Sequence, residues 1–158
     1  MRKYEKKEMD FRQTKEKALR LLEFRNHSTG ELIKKLKIAG ALDEDIEKVI
    51  EFLKEYNLIN DREYAKRYAL DLKNLKKYGE RRIRSELLTK GISSEYIEEA
   101  ISELPEFEED ELFELVRKRL KGDFEKKNKD RVLRYFLTRG YSFDEIKKAI
   151  EKIEESVL

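Results

Sequence analysis

Arginines and lysines at helical spacing are the side chains of this sequence best suited to bind a ligand. Lys127, Arg131 and Arg134 lie at positions i, i+4 and i+7, which places three cations on one face of a helix. Such a face attracts phosphates or acidic protein surfaces through salt-sensitive contacts. The alternative interpretation is that these cations are only solvated, or that they pair with acidic helices of the same chain.

The candidate binding residues are basic side chains in two regions, around residue 82 and between residues 117 and 134. They are Arg81, Arg82, Arg84, Arg117, Lys118, Lys127, Arg131 and Arg134. Arg82 also suits a position against a neighbouring helix. The second region surrounds the short segment 122–125, whose composition is typical of a mobile loop.

The sequence contains few residues that could carry out catalysis. It has no cysteine, which excludes disulfides, thiolate nucleophiles and cysteine-ligated zinc, and it has one histidine. His27 directly precedes the predicted helix cap Ser28, so we interpret it as a structural residue rather than a base. No glycine-rich phosphate loop, metal-spaced pair or nucleophile arrangement occurs. We therefore expect no catalytic residue, metal or cofactor.

The composition is typical of an all-α protein. Of 158 residues, 46% are charged and 39% hydrophobic, with six glycines and one proline. Thirty-seven basic and 35 acidic residues give a net charge of only +2, which does not by itself indicate a polyanionic partner. Thermophilic surface networks produce the same richness in charge. Neither a membrane span nor a signal peptide is expected, so the predicted compartment is the cytoplasm.

A repeat of about 50 residues organises the chain. Gly40, Gly91 and Gly140 are 51 and 49 residues apart. Apolar residues recur at the same offsets from each glycine: at −8, −4, +6, +9, +10 and +13. A period of this length indicates stacked supersecondary units. Both apolar sets have helical spacing, so the fold class predicted is all-α, with three tandem three-helix repeats.

Helix caps and turns divide each repeat. Gly40, Gly91 and Gly140 are predicted to be left-handed residues that end a helix, where an alanine would cost about 1 kcal/mol or more. Residues predicted to start helices are Asp43, Ser93 or Ser94, Ser142 with Glu145, Ser28 with Glu31, Asn60 and Pro105. The first helices of the repeats are expected at about 14–26, 61–76 and 106–120.

These signals predict a domain organisation in four parts. They are a flexible N-terminal segment at 1–13 and three-helix repeats at 14–58, 59–104 and 105–158. In each repeat the second helix is basic and the third is acidic; residues 126–140, for example, carry a net charge of +5 and residues 141–158 a net charge of −2. The third helices begin with acidic residues where a helix-turn-helix reader needs Arg, Asn or Gln, so we do not expect major-groove reading.

Short motifs extend over nearly the whole chain, from about residue 14 to about residue 154. They are Ala18-Leu-Arg-Leu-Leu22, 25–32, Lys35-Leu36, Leu58-Ile-Asn-Asp61, Tyr64-Ala65, Tyr78-Gly79, Arg82-Ile-Arg84, Glu86-Leu87, Lys90-Gly-Ile-Ser93 and 136–141. In this order they resemble the RecX family, which regulates the bacterial recombinase RecA. The family usually has Gly where this chain has Asn57; Asn tolerates the left-handed conformation, so the same turn is expected.

The resemblance implies a fold and a function. The repeats would stack into an elongated, curved array that binds the groove of the RecA–single-stranded DNA filament. It would inhibit filament growth, ATPase activity and strand exchange in recombination, repair and the SOS response. The implied partners are the RecA filament and single-stranded DNA, with double-stranded DNA as a second candidate, and the molecule is expected to be a monomer that does not bind membranes. The sequence leaves open a stand-alone DNA-binding helical-repeat protein and a purely structural scaffold.

Overall fold

The computed structural model describes residues 8–158, and this part of the chain consists of nine α-helices with no strand. The helices are α1 (Phe11–Phe24), α2 (Thr29–Ala39), α3 (Asp43–Glu55), α4 (Asp61–Asn74), α5 (Glu80–Thr89), α6 (Ser94–Ser102), α7 (Glu109–Leu120), α8 (Lys126–Thr138) and α9 (Phe143–Val157). The prediction of an all-α chain with three helices in each repeat is confirmed.

Side-chain caps start several helices where the sequence predicts them. Ser28 with Glu31 and Ser142 with Glu145 form reciprocal capping boxes, at the starts of α2 and α9 respectively. The side chain of Asn60 accepts a hydrogen bond from the backbone N–H of Glu63 at the start of α4. The predicted cap Asp43 is wrong. It lies inside the first turn of α3, and Leu42 is the N-cap residue, without a side-chain hydrogen bond.

Two helix starts differ from the sequence expectation. Helix α1 begins at Phe11 rather than near residue 14, because Asp10 and Gln13 form a capping box that the sequence analysis missed. Helix α7 begins at Glu109, so Pro105 does not start it. The Lys73 ammonium donates to the carbonyl of Pro105 and contacts the Phe107 ring, and these contacts hold the segment before α7.

The described chain divides into two compact units. The first contains the residues up to Tyr68 together with Leu87–Ala100, and the second contains Ala69–Glu86 together with Ile101–Leu158. The repeat boundaries at 58/59 and 104/105 stay predictions. The flexible segment predicted at 1–13 falls mainly on residues outside the described part, while residues 11–13 form the first turn of α1.

The aligned apolar positions of the sequence repeat form the cores of both units. In the first unit they pack α1, α2 and α3 together, and in the second they pack α7, α8 and α9. Leu32, Leu36 and Leu53 are fully buried, and Val132, Phe136 and Ile153 are buried at the equivalent offsets in the second unit. Burying one such side chain stabilises a fold by about 1.5–3 kcal/mol, so these stripes account for the helix packing.

Within each unit, a glycine at the start of one helix meets the turn at the end of another. In the first unit Gly30 lies against Lys90 and Gly91, and the Ser28 hydroxyl donates to the Lys90 carbonyl at 2.6 Å. In the second unit Gly79 lies against Gly140, and its N–H donates to the Arg139 carbonyl at 2.8 Å. These junctions satisfy backbone groups that helix ends otherwise leave unpaired.

The turn glycines have the left-handed conformation that their positions require. Gly40, Gly91 and Gly140 have φ values of +101°, +74° and +99°. Asn57, at the position where Gly is usual in the family that the sequence resembles, has a φ of +53°. Each of these residues ends a helix by reversing the backbone twist.

Candidate polyanion-binding site

A basic pocket of about 570 Å³ lies in the second unit. Its walls come from α7, α8 and the segment that joins α4 to α5. Seven cations and one carboxylate line it: Lys76, Lys77, Lys118, Arg119, Lys121, Arg131, Arg139 and Asp123. A concave surface with one sign of charge concentrates field lines and attracts ions of the opposite sign.

The cations of the basic pocket lack close carboxylate partners among the described residues. In the part of the chain that the structure describes, no carboxylate oxygen lies within 4.0 Å of any of the seven side-chain charges. Elsewhere, ion pairs are common: Lys129 contacts Glu154 at 3.3 Å, for example. Asp123 accepts a hydrogen bond from the Glu125 N–H at 3.0 Å. The pocket therefore holds an excess of positive charge that favours a polyanionic ligand.

Aromatic rings fix two of the guanidinium groups at the pocket wall. The Arg119 guanidinium carbon lies 3.3 Å from the centroid of the Tyr135 ring, and that of Arg139 lies 4.7 Å from the same centroid. Arg139 also lies 5.6 Å from the Tyr78 ring centroid and donates to the Lys76 carbonyl at 3.1 Å. Cation–π contacts and this hydrogen bond place the guanidinium groups before any ligand arrives.

The segment that carries Lys76 and Lys77 is held by the α8–α9 turn. The Tyr141 hydroxyl donates to the Lys77 carbonyl at 2.8 Å. Burial, with the charges of Glu111 and Glu145, raises the pKa of Tyr141 to about 12, which keeps its hydroxyl a donor even at alkaline pH. The junction between Gly79 and Gly140 lies directly beside this contact in sequence. Together, the Tyr141 hydrogen bond and this junction fix the backbone positions of Lys76 and Lys77.

The loop between α7 and α8 closes another side of the pocket. The Asn128 side-chain amide donates to the carbonyl of Leu120 at 3.1 Å and to that of Asp123 at 2.8 Å. Lys121 and Gly122 have φ values of +53° and +73°, which turn the chain sharply after α7. The Asn128 side chain thus holds the end of α7 and the middle of this loop, while the mobility expected for residues 122–125 stays a prediction.

The structure places the sequence-predicted binding residues in four settings. Lys118 and Arg131 line the basic pocket, and Lys127 and Arg134 are exposed on α8 beyond it. Arg84 and Arg117 are exposed or half-exposed but pair with Glu80 and Glu114 on their own helices. Arg81 and Arg82 lie at the start of α5.

Arg82 is engaged by its own unit. It pairs with Glu86 at 2.9 Å, donates to the Thr138 carbonyl at 3.3 Å and lies 4.9 Å from the Tyr78 ring centroid. Arg81, in contrast, is exposed, and its backbone N–H donates to the Gly140 carbonyl at 3.3 Å. The binding role of all eight residues stays a prediction.

Five pocket cations are absent from the sequence-predicted set: Lys76, Lys77, Arg119, Lys121 and Arg139. Arg119 and Lys121 belong to the basic region between residues 117 and 134, so the charge pattern contained a signal for them. Lys76 and Lys77 lie more than 60 residues from Arg139, and contacts at and beside the junction between Gly79 and Gly140 bring them together. Charge periodicity along one helix carries no information about that junction.

A second polar cluster lies in the first unit, around the half-buried Glu31. Its carboxylate accepts hydrogen bonds from Arg25 at 2.7 Å and from the Tyr64 hydroxyl at 2.8 Å, and Lys90 lies 3.5 Å away. Burial opposes ionisation, but the hydrogen bonds from Arg25, Tyr64 and the Ser28 backbone outweigh it and lower the pKa of Glu31 to about 2. This cluster fixes the start of α2.

His27 is buried beside this cluster. Its Nδ1 lies 2.8 Å from the Arg25 carbonyl oxygen and its Nε2 lies 2.9 Å from the Lys35 ammonium. Because a carbonyl only accepts, Nδ1 carries the proton and Nε2 accepts from Lys35. Burial, together with the charges of Arg25 and Lys35, lowers the pKa of His27. Both ring nitrogens have structural partners, in line with the structural role inferred from sequence.

We expect Glu31→Gln to destabilise the protein at pH 7 and to have less effect in acid. Because the pKa of Glu31 in the folded state lies below its ordinary 4.5, its ionised form stabilises the fold above that pH. This contribution is lost as the pH falls from about 5 toward about 2. Urea unfolding at several pH values measures this contribution, and Glu47→Gln, at an exposed glutamate, serves as the control. A pH-independent difference between variant and parent would contradict the prediction.

Among the described helices, none is long and apolar enough to cross a membrane. Within residues 8–158 there is also no group of three or more His, Asp or Glu side chains placed to hold a metal ion.

Comparison with known proteins identifies two stretches of the chain. Residues 15–53 match the family model for the first three-helix domain of RecX, and residues 60–101 match the model for its second three-helix domain. These matches correspond to α1–α3 and α4–α6. They agree with the repeat that the glycine spacing indicates.

Whole-chain relatives give the same assignment. A regulatory protein RecX of Vibrio parahaemolyticus is 37% identical over 96% of this chain and 99% of its own length. A regulatory protein RecX of Clostridioides difficile is also 37% identical, over 88% of this chain and 67% of its own length. The crystal structure of RecX from Lactobacillus salivarius has a TM-score of 0.75 at 24% identity and covers 91% of this chain and 96% of that one. The family models, the relatives and the shared fold together show that this chain belongs to the RecX family of regulatory proteins.

Proposed function

We propose that this protein is a non-enzymatic regulator that binds the RecA–single-stranded DNA filament. It inhibits filament growth, ATPase activity and strand exchange, and so acts in recombination, DNA repair and the SOS response. It works in the cytoplasm as a monomer and needs no cofactor. Membership of a family whose curated relatives are named regulatory proteins supports the general role.

The exposed basic face of α8 is the observation that carries the proposal. Lys127, Arg131 and Arg134 lie on this face, opposite the buried Val132 and Phe136. In the described chain none of the three cations has a carboxylate partner within 4.0 Å. A filament presents DNA phosphates and acidic protein surface, and each cation then adds a contact that salt weakens.

The competing interpretation, complementary packing of basic and acidic helices, applies to other lysines. Lys37 lies 3.8 Å from Asp43 and Lys129 lies 3.3 Å from Glu154, so each joins a second helix of a repeat to the third. These pairs explain part of the alternating charge. They leave the face formed by Lys127, Arg131 and Arg134 available to a partner.

One titration tests the function directly. Labelled single-stranded DNA is followed by fluorescence anisotropy, with and without RecA and a nucleotide, while RecA ATPase activity is measured on the same samples. We expect the protein to bind RecA-coated DNA more tightly than free DNA and to lower ATPase activity.

Two outcomes would contradict the proposal. Tight binding to free DNA with steep salt dependence and no effect on RecA would favour a stand-alone DNA-binding protein. Binding to neither free DNA nor the filament would favour a structural scaffold.

A further inference from the structure

We propose that the basic pocket binds consecutive phosphates of a single nucleic-acid strand, which then continues along the exposed face of α8. This inference rests on the proposed function, because it identifies the part of the molecule that contacts DNA within the filament. It assigns a binding role to pocket residues that the charge pattern of the helices did not indicate, chiefly Lys76, Lys77 and Arg139.

The number and state of the charges indicate an anion with several negative groups. Seven cations surround a space of about 570 Å³, and the one carboxylate among them is already hydrogen-bonded to the Glu125 backbone. This volume is within the usual range for ligand sites, about 300–1,000 Å³. Cations held together without carboxylate partners repel one another, and a ligand with a single charge would leave most of that repulsion in place. A chain of phosphates offsets it.

The geometry of the arginines favours phosphate. Arg119 and Arg139 present planar guanidinium groups, which bind phosphate oxygens in a bidentate manner. Both are already positioned by the Tyr135 ring, and Arg139 is also bonded to the Lys76 carbonyl. Binding therefore costs little side-chain entropy, and affinity increases as a result.

The continuity of the surface favours a strand over a free polyphosphate. Arg131 lines the pocket and also belongs to the basic face of α8, with Lys127 and Arg134 one turn away on either side. Positive charge thus extends past the edge of the pocket along the helix. A mononucleotide would use only the pocket, whereas a strand uses the pocket and the face together.

The test compares two double variants of the full chain that remove the same charge. In Lys76→Gln/Lys118→Gln both residues line the pocket, and in the control Lys147→Gln/Lys148→Gln both lie on α9 outside it. All four lysines are exposed, so both variants should fold. Binding of a labelled single-stranded oligonucleotide is measured by anisotropy from about 50 to 200 mM salt, without RecA.

We expect the pocket variant to bind the oligonucleotide more weakly than the parent. The slope of log Kd against log salt should decrease by about 1.4, because two phosphate contacts are lost at about 0.7 each on a single strand. The control should keep the slope and affinity of the parent. Equal slopes in the pocket variant and the control would overturn the proposal. Inorganic tripolyphosphate that binds the protein as tightly as the oligonucleotide, at equal phosphate concentration, would also overturn it, in favour of a free polyphosphate ligand.

A RecA ATPase assay on the same variants separates this inference from the proposed function. If the pocket variant keeps oligonucleotide binding but loses inhibition of RecA, the pocket contacts protein and the inference fails while the proposed function stands. If the parent has no effect on RecA but the pocket variant loses oligonucleotide binding, the proposed function fails and the pocket assignment stands.

Discussion

Replacing Arg131 and Arg134 with glutamate is expected to weaken binding to the RecA–DNA filament by at least about hundredfold while the protein stays folded. A hydrogen bond to a charged group contributes about 1.5–3 kcal/mol, and the double reversal removes two such contacts and adds repulsion. Neither arginine has a carboxylate partner in the described chain, so the free energy of unfolding should change by less than about 1 kcal/mol. Thermal melts and RecA ATPase inhibition on the same samples measure both quantities.

A matched control keeps this prediction specific to the face of α8. The double reversal Lys147→Glu/Lys148→Glu makes the same change in net charge on the exposed surface of α9. We expect it to keep most of the inhibition, with a small loss from long-range electrostatics at low salt. If the arginines instead pair within the fold, the reversal of Arg131 and Arg134 melts earlier and inhibition per folded molecule is unchanged.

The helices and cores were predictable because their signals are local. Apolar residues at helical spacing identify the buried face of each helix, and all six aligned positions of the first repeat are buried as that spacing requires. Ser28 and Ser142 mark helix starts because a hydroxyl and a glutamate three residues later satisfy the first N–H groups. Asp43 was misassigned because aspartate is favoured both as a cap and within the first turn, where its negative charge interacts favourably with the helix dipole.

The candidate site was only partly predictable because its geometry depends on contacts between distant residues. The spacing on α8 was sufficient to place Arg131 and Arg134 on one exposed face. Arg139 and Lys76 form one wall of the pocket only because Tyr141 and Gly79 hold the two turns together across more than 60 residues. The role of Gly30 and Gly79 is likewise hidden in sequence, because each is needed for a close approach and neither has the left-handed conformation that marks the other turns.

Gly140→Ala is expected to lower the free energy of unfolding by about 2–4 kcal/mol. The backbone φ of +99° alone costs an L-residue about 1 kcal/mol. The added Cβ would also lie 2.8 Å from the Gly79 carbonyl oxygen and still closer to the backbone nitrogen and Cβ of Arg82. Because these neighbours are largely backbone, the clash forces the start of α5 to move, and overpacking of this kind costs about 1–3 kcal/mol. Urea unfolding of variant and parent measures the loss.

The variant Gly122→Ala separates the contribution of backbone strain from that of the clash with neighbouring atoms. Its φ of +73° imposes the same kind of backbone strain, but in the described structure an added Cβ meets no atom within 4 Å. We therefore expect a cost of only about 1 kcal/mol there. Equal losses in the free energy of unfolding at both positions would show that the junction between Gly79 and Gly140 accommodates the added Cβ without a further loss of stability. A larger cost at Gly140, accompanied by weaker oligonucleotide binding, would show that this junction both stabilises the second unit and places Lys76, Lys77 and Arg139 around the basic pocket.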